Sequence, residues 1–99
     1  STAKEISIEY IQKVICDHFH ISIDMINAKT RKREIVQARQ LSMYFAKKYT
    51  KLPLSTIGAY CGNKDHATVL HACRTINNLY DTDKKIKLAI DEIEKKMKL

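Results

Sequence analysis

The chain has 99 residues, 44% of them apolar, with two Gly, one Pro and a formal net charge of +7 from 18 Lys+Arg against 11 Asp+Glu. This length suits a single domain, 1–99, with one modest core and no separate cofactor domain; so few turn residues argue against a β-rich fold. No stretch approaches the roughly 20 apolar residues of a membrane span, and no signal-peptide pattern is present.

Residues 1–6, beginning Ser1-Thr2-Ala3, are set aside as a linker or cloning remnant. From there the apolar periodicity is helical almost throughout, with no internal repeat and no low-complexity segment. Ser7 caps a first helix with Tyr10 at its third position; Ile8, Ile11, Val14, Ile15 and Phe19 form its apolar stripe, and it ends near His18 to His20. Residues 21–25 form a connector with a short turn capped by Ser22. Residues 29–33, Lys-Thr-Arg-Lys-Arg, are a basic loop. A second helix covers about 34–49, with Ile35, Ala38, Leu41, Phe45 and Tyr49 inward and Arg39, Lys47 and Lys48 outward. Lys51-Leu52-Pro53 breaks it, because Pro lacks an N–H and clashes with the preceding turn. A third helix covers 54–60. Gly62 follows where a left-handed helix-ending residue is expected, and Asn63 and Lys64 complete a tight turn. Asp65 then caps a fourth helix: its carboxylate accepts from free N–H groups and suits the positive helix end. That helix runs 66–80, Asp81-Thr82-Asp83 marks a junction, and a fifth helix covers 84–96 with Ile86, Ile90, Ile93 and Met97 as its stripe.

The charge is unevenly placed. Residues 29–74 carry ten basic and two acidic residues, or +8; the remainder carries eight basic and nine acidic, or −1. Such concentration is the footprint of a polyanion partner, although a solvated basic surface accounts for a basic segment equally well. The three cysteines, Cys16, Cys61 and Cys73, are odd in number and irregular in spacing. They suggest no disulfide framework and read as buried reduced thiols of a cytosolic protein. Cys16-x-His18-x-His20 has no second pair at zinc-site spacing, so no metal site is expected.

The short Gly-containing turn between the third and fourth helices gives 54–80 the outline of a helix-turn-helix, whose second helix enters the DNA major groove. Short helical hairpins are also common structural units. In the fourth helix Val69, Ala72, Cys73, Ile76 and Tyr80 share a core face. Ala67, His71, Arg74 and Asn78 lie opposite, with Thr68 and Thr75 at the edge.

Asp65-His66-Ala67-Thr68-Val69-Leu70-His71-Ala72-Cys73-Arg74 resembles the signature D-H-(S/T/A)-T-V-x-H-A of the bacterial DnaA replication initiators. Ala38-Arg39-Gln40-Leu41-Ser42-Met43-Tyr44 resembles that family's A/P-R-Q-x-A-M-Y/A segment, and Ile57-Gly58 its I-G. The resemblance runs from about Ile6 to the C-terminus, with the motifs in order and at the right intervals. It implies the C-terminal, origin-binding domain IV: an all-α, Trp-repressor-like fold of about five helices around a central helix-turn-helix. It also implies sequence-specific binding to double-stranded DNA at the DnaA boxes of replication origins.

The resemblance further implies that Asp65, His66, Ala67 and Thr68 read bases in the major groove, and that Arg31 enters the adjacent minor groove. Arg39, Gln40, Lys47 and His71 match positions near the phosphate backbone, Leu54 anchors the start of its helix beside a phosphate, and Arg74 lies on the same DNA-facing side. Chemistry supports these roles: Asp accepts from a cytosine amino group, Ala contacts a thymine methyl, and an Arg gains from the negative potential of a narrow A·T-rich minor groove. For each residue taken singly, a helix cap or surface charge is the plainer account. Four positions depart from common members: Ala67 replaces a frequent Thr or Ser, Thr75 a basic residue, Ser55 a Pro, and Thr30 another basic residue.

No G-x-x-x-x-G-K-[ST] loop is present, so the chain is expected to be a non-enzyme with no cofactor of its own, ATP binding a separate domain. The expected setting is the bacterial cytoplasm, associated with the nucleoid, as a monomer on an asymmetric site. Two rivals stand beside this. One is a helical protein-interaction module, in which Asp91, Glu92 and Glu94 meet regulatory partners; the other is a small metal-dependent hydrolase built on the His and Cys residues.

Overall fold

The computed structural model describes residues 6–97, so the linker or remnant assigned to 1–6 lies outside the described residues except for Ile6. Six helices follow one another: α1 (Ile8–Phe19), α2 (Ile23–Ile26), α3 (Arg33–Tyr49), α4 (Leu54–Tyr60), α5 (His66–Thr82) and α6 (Lys84–Met97). No strand occurs among the described residues.

Local chemistry fixes the helix ends. Ser7 Oγ accepts from the Tyr10 N–H at 3.1 Å and starts α1; His20 ends it in the left-handed region at φ 57°, its N–H donating to the Cys16 carbonyl. Ser22 Oγ accepts from the Met25 N–H at 3.3 Å. That cap turns the expected connector into the one-turn helix α2, which is why six helices appear instead of five. Asp83 Oδ1 accepts from the N–H groups of Lys85 and Ile86, separating α6 from α5.

α3 is the central element and packs against α1, α2, α4 and α5; α6 closes the other side against α5 and α1. Ala38, Leu41, Phe45 and Ala46 of α3 meet Ile11 and Ile15 of α1, Val69 and Ile76 of α5, and Ile90 and Ile93 of α6 in one core. Each of the larger side chains among them, valine to phenylalanine, contributes on the order of 1.5–3 kcal/mol when taken from water.

Two expected positions on α3 change. Tyr49 is 36% exposed rather than inward. Its hydroxyl donates to Glu94 Oε2, which also accepts from Lys48 Nζ, joining the end of α3 to α6. Arg39, expected outside, is buried.

Candidate nucleic-acid interface

The turn between α4 and α5 is built on close backbone approach. The Lys64 N–H donates to the Gly58 carbonyl at 2.8 Å. Gly62 and Asn63 follow one another at φ 90° and φ 60°, a conformation that Gly adopts freely and Asn tolerates better than most residues. Asp65 then opens α5: its Oδ1 accepts from both the Thr68 N–H at 2.9 Å and the Thr68 hydroxyl at 2.8 Å. The backbone bond from Thr68, then its hydroxyl, holds the Asp65 carboxyl below its ordinary range.

α5 divides as its periodicity predicts. Val69, Ala72, Cys73 and Ile76 are buried, while His66, Ala67, Thr68, His71, Arg74 and Asn78 are exposed along the other face. Asp65 is exposed as well, so the first turn offers an unbroken outward row from 65 to 68. Thr75 and Tyr80 are half-buried.

A second basic contribution comes from α3. Lys47 and Lys48 share a groove of about 500 Å³ with Leu70, Arg74 and Asn77 of α5, floored by Tyr44 and Cys73. Lys47 is exposed there. Gln40 and Leu54 are half-buried, Leu54 packing on the core at the start of α4. Arg31 is exposed on the segment between α2 and α3, where the Thr30 hydroxyl accepts from the Lys32 N–H at 3.2 Å.

Arg39 corrects the expectation of an outward side chain on α3. It is 8% exposed. Its Nε donates to the Ile26 carbonyl at 2.9 Å and its Nη2 to the Ala28 carbonyl. The physical reason is the chain reversal after the one-turn helix α2. The Ile26 carbonyl, at the end of α2, has no helical partner, and the guanidinium reaches it together with the Ala28 carbonyl, which also accepts from the Thr30 N–H at 2.9 Å.

Gln12 was not singled out by its sequence. It is 6% exposed, and its amide reaches the end of α4 and the segment after α2. A signal existed: Gln12 is four residues from both Ile8 and Cys16, so it is a polar side chain on the apolar stripe of α1, and such residues are held by hydrogen bonds.

Among the described residues, no three His, Cys, Asp or Glu side chains converge as a metal-holding group. Cys16 is buried, and His18 Nδ1 faces Lys96 Nζ of α6 at 3.1 Å. Asp91 and Glu94, offered to a partner by the protein-module alternative, are occupied inside the chain: Asp91 accepts from the Tyr80 hydroxyl at 3.1 Å, and Glu94 accepts from Lys48 and Tyr49. No described helix is long and apolar enough to cross a membrane.

A family model described as the bacterial dnaA protein helix-turn-helix matches residues 8–76, from the start of α1 to the buried Ile76 of α5. The chromosomal replication initiator protein DnaA of Flavobacterium psychrophilum is 55% identical over 97% of this chain and 20% of its own length. DnaA of Bacteroides thetaiotaomicron is 50% identical over 96% of this chain and 20% of its own length. DnaA of Thermodesulfovibrio yellowstonii is 45% identical over 95% of this chain and 22% of its own length. The chain thus spans about a fifth of the length of these relatives. With its turn, its capped α5 and the match over most of its helices, the chain belongs to the bacterial DnaA helix-turn-helix family.

Proposed function

We propose that the chain binds double-stranded DNA sequence-specifically at DnaA boxes, as the origin-reading part of a replication initiator. Family membership supports the coarser part, DNA binding in replication initiation. The observation that carries the finer part is the outward row Asp65, His66, Ala67 and Thr68 at the start of an α5 whose opposite face is core. In a helix-turn-helix the N-terminal residues of the second helix meet base edges.

The roles follow from chemistry. Both cap bonds fall on Asp65 Oδ1, so Oδ2 is available to accept from a cytosine amino group; Ala67 offers a methyl to a thymine methyl. His66 and Thr68 complete the reading edge. Arg31 enters the adjacent minor groove, where a narrow A·T-rich stretch attracts a guanidinium. Lys47, Arg74, His71 and Gln40 lie by the phosphates, with Leu54 at the start of α4. These phosphate contacts add affinity and set orientation without reading sequence.

The chain acts in this proposal as a non-enzymatic, monomeric DNA reader in the bacterial cytoplasm. ATP and the assembly that opens the duplex belong elsewhere in the full-length initiator. Fluorescence anisotropy with a labelled duplex carrying one DnaA box and a scrambled duplex, across a salt series, tests it. Preference for the box that persists as salt rises, and is eroded by Arg31→Ala and Asp65→Ala, is expected. Equal binding to both duplexes that vanishes together with salt would leave a non-specific basic domain.

A further inference from the structure

The proposed minor-groove and major-groove readers sit on separate pieces of chain. Arg31 belongs to the segment between α2 and α3; Asp65 to Thr68 belong to α5. For both to engage one duplex, their separation must be held to a fraction of an ångström, which requires support from the residues behind them.

Three observations place that support at Asn27, the first residue after α2. Gln12 Nε2 donates to Asn27 Oδ1 at 3.4 Å, to the Tyr60 carbonyl at 3.3 Å and to Cys61 Sγ at 3.7 Å. Two amide hydrogens are thus shared among three acceptors, one before the Arg31 loop and two at the end of α4. Arg39 holds the carbonyls on either side of Asn27, those of Ile26 and Ala28. The Asn27 carbonyl also lies against the turn itself, where a Cβ on Gly62 would meet it at 3.4 Å.

We propose that Gln12 is a positioning residue for DNA reading: from α1 it fastens the segment carrying Arg31 to the turn leading into Asp65, and so sets the offset between the two readers. The inference rests on the DNA-box function proposed above. Gln12 touches no DNA and acts through Arg31. Its removal therefore matters only where both readers are in use.

The test is a double-mutant cycle in box binding, with the scrambled duplex as control and urea unfolding as the measure of folding. Gln12→Met keeps the side-chain length and loses the donors. It is expected to weaken box binding about tenfold, the loss of one to two net hydrogen bonds' worth of positioning, and to leave scrambled-duplex binding unchanged. In an Arg31→Ala background the same substitution is expected to cost less than about twofold, because residues acting as a unit are not additive. An equal loss with and without Arg31, or an equal loss on box and scrambled duplexes, overturns the positioning role. Should Gln12→Met fail to fold, Asn27→Ala, at an exposed position, removes the same link and faces the same two outcomes. Failure of the DNA-box function is distinguishable: it shows as no box preference in the unsubstituted chain and takes this inference with it.

Discussion

The Lys64 carbonyl lies directly over Gly58 of α4: a Cβ built on Gly58 would stand 2.0 Å from that oxygen, and 3.2 Å from Val69 Cγ2. The same two residues are joined by the Lys64 N–H to Gly58 carbonyl bond at 2.8 Å. The clash is with backbone, so no side chain can swing aside to relieve it. Gly58→Ala is therefore expected to push the turn off α4 at a cost of about 3 kcal/mol, at the upper end of overpacking. It should also displace Asp65 and abolish box preference. Urea unfolding and box anisotropy check both; a variant with unchanged midpoint and affinity would mean that α4 and α5 do not cross this closely. Gly62, at φ 90° with its Cβ direction only in ordinary contact range, has a milder conflict. Gly62→Ala is expected to cost about 1–2 kcal/mol from the left-handed backbone alone.

Arg39 and Lys47 both lie on α3 and both invited assignment to the phosphate backbone, yet they occupy opposite environments. Arg39 is buried on two carbonyls, and Lys47 is exposed in the groove beside Arg74. Arg39→Ala leaves two acceptors without their charged donor and is expected to lose roughly 2–4 kcal/mol of stability. It should weaken box binding without altering its salt dependence. Lys47→Ala is expected to leave stability within about 0.5 kcal/mol and to reduce the log–log salt slope of box binding by about one. A reduced slope for Arg39→Ala would return its guanidinium to the phosphates.

The contrast between those residues shows what was legible in the sequence. Periodicity placed Ile35, Ala38, Leu41 and Phe45 inside because aliphatic spacing reports directly on burial. The Ser7 and Asp65 caps were legible because capping is local chemistry, complete within three residues. The outward face of Ala67, His71, Arg74 and Asn78 on α5 follows from the same periodicity, whereas Asp65 and His66 stand out as readers only through the family resemblance. Periodicity puts Arg39 outside and passes over Gln12, since their roles depend on acceptors brought in from α2, the segment after it and the end of α4, and no local pattern announces a distant acceptor. Tyr49 failed for a related reason: aromatic in the stripe, it turns its hydroxyl outward to a carboxylate on α6 that periodicity does not see.

Acid should loosen two of these features. Burial raises the Glu94 pKa, but hydrogen bonds from Lys48 and Tyr49 outweigh it and leave a net depression. The bond from the Thr68 backbone, then that from its hydroxyl, depresses Asp65. A carboxyl lowered in the folded state stabilises fully above its unfolded pKa, and that contribution is lost as pH falls through the folded value. Stability should therefore decline through and below the ordinary carboxylate range. Glu94→Gln is expected to flatten part of that decline while lowering stability at neutral pH. At the alkaline end, Lys48 is raised chiefly by its hydrogen bond to Glu94, so its contribution is lost as pH rises through its folded pKa. Thermal melts of both chains across pH read the difference; parallel curves would show that Glu94 contributes nothing.

The cysteines should be inert in the folded chain. Cys16, Cys61 and Cys73 are all free and buried. Burial pushes each thiol up, Cys61 to about 11, against the opposing hydrogen bond from Gln12 and the charge of Arg39. Thiolate is the reactive form, so alkylation at neutral pH is expected to be slow in buffer and complete in urea. Cys61 has no exposed surface, so its labelling in buffer would have to proceed through local opening, and its rapid modification would place that opening at the turn between α4 and α5.

Ala67 and Thr75 are the departures on α5 whose surroundings make opposite predictions. Ala67 is exposed in the reading row between His66 and Thr68, and its side chain can offer DNA only a methyl. Ala67→Thr adds a hydroxyl at an open position, with a helix-propensity cost of well under about 0.7 kcal/mol. The added group can hydrogen-bond only where a base edge or phosphate meets it. Discrimination between the box and single-base variants is therefore expected to sharpen about fivefold, roughly 1 kcal/mol, with the salt slope unchanged. Thr75 is half-buried two turns further along, beside Arg74. Thr75→Lys carries charge instead of reading capacity, and is expected to steepen the salt slope by about one while tightening box and scrambled binding alike. Measured side by side, the two substitutions separate reading from anchoring along a single helix. If Ala67→Thr also raised scrambled-duplex affinity, the start of α5 would be gripping the backbone, and the base-reading role proposed for Asp65, His66, Ala67 and Thr68 would fall.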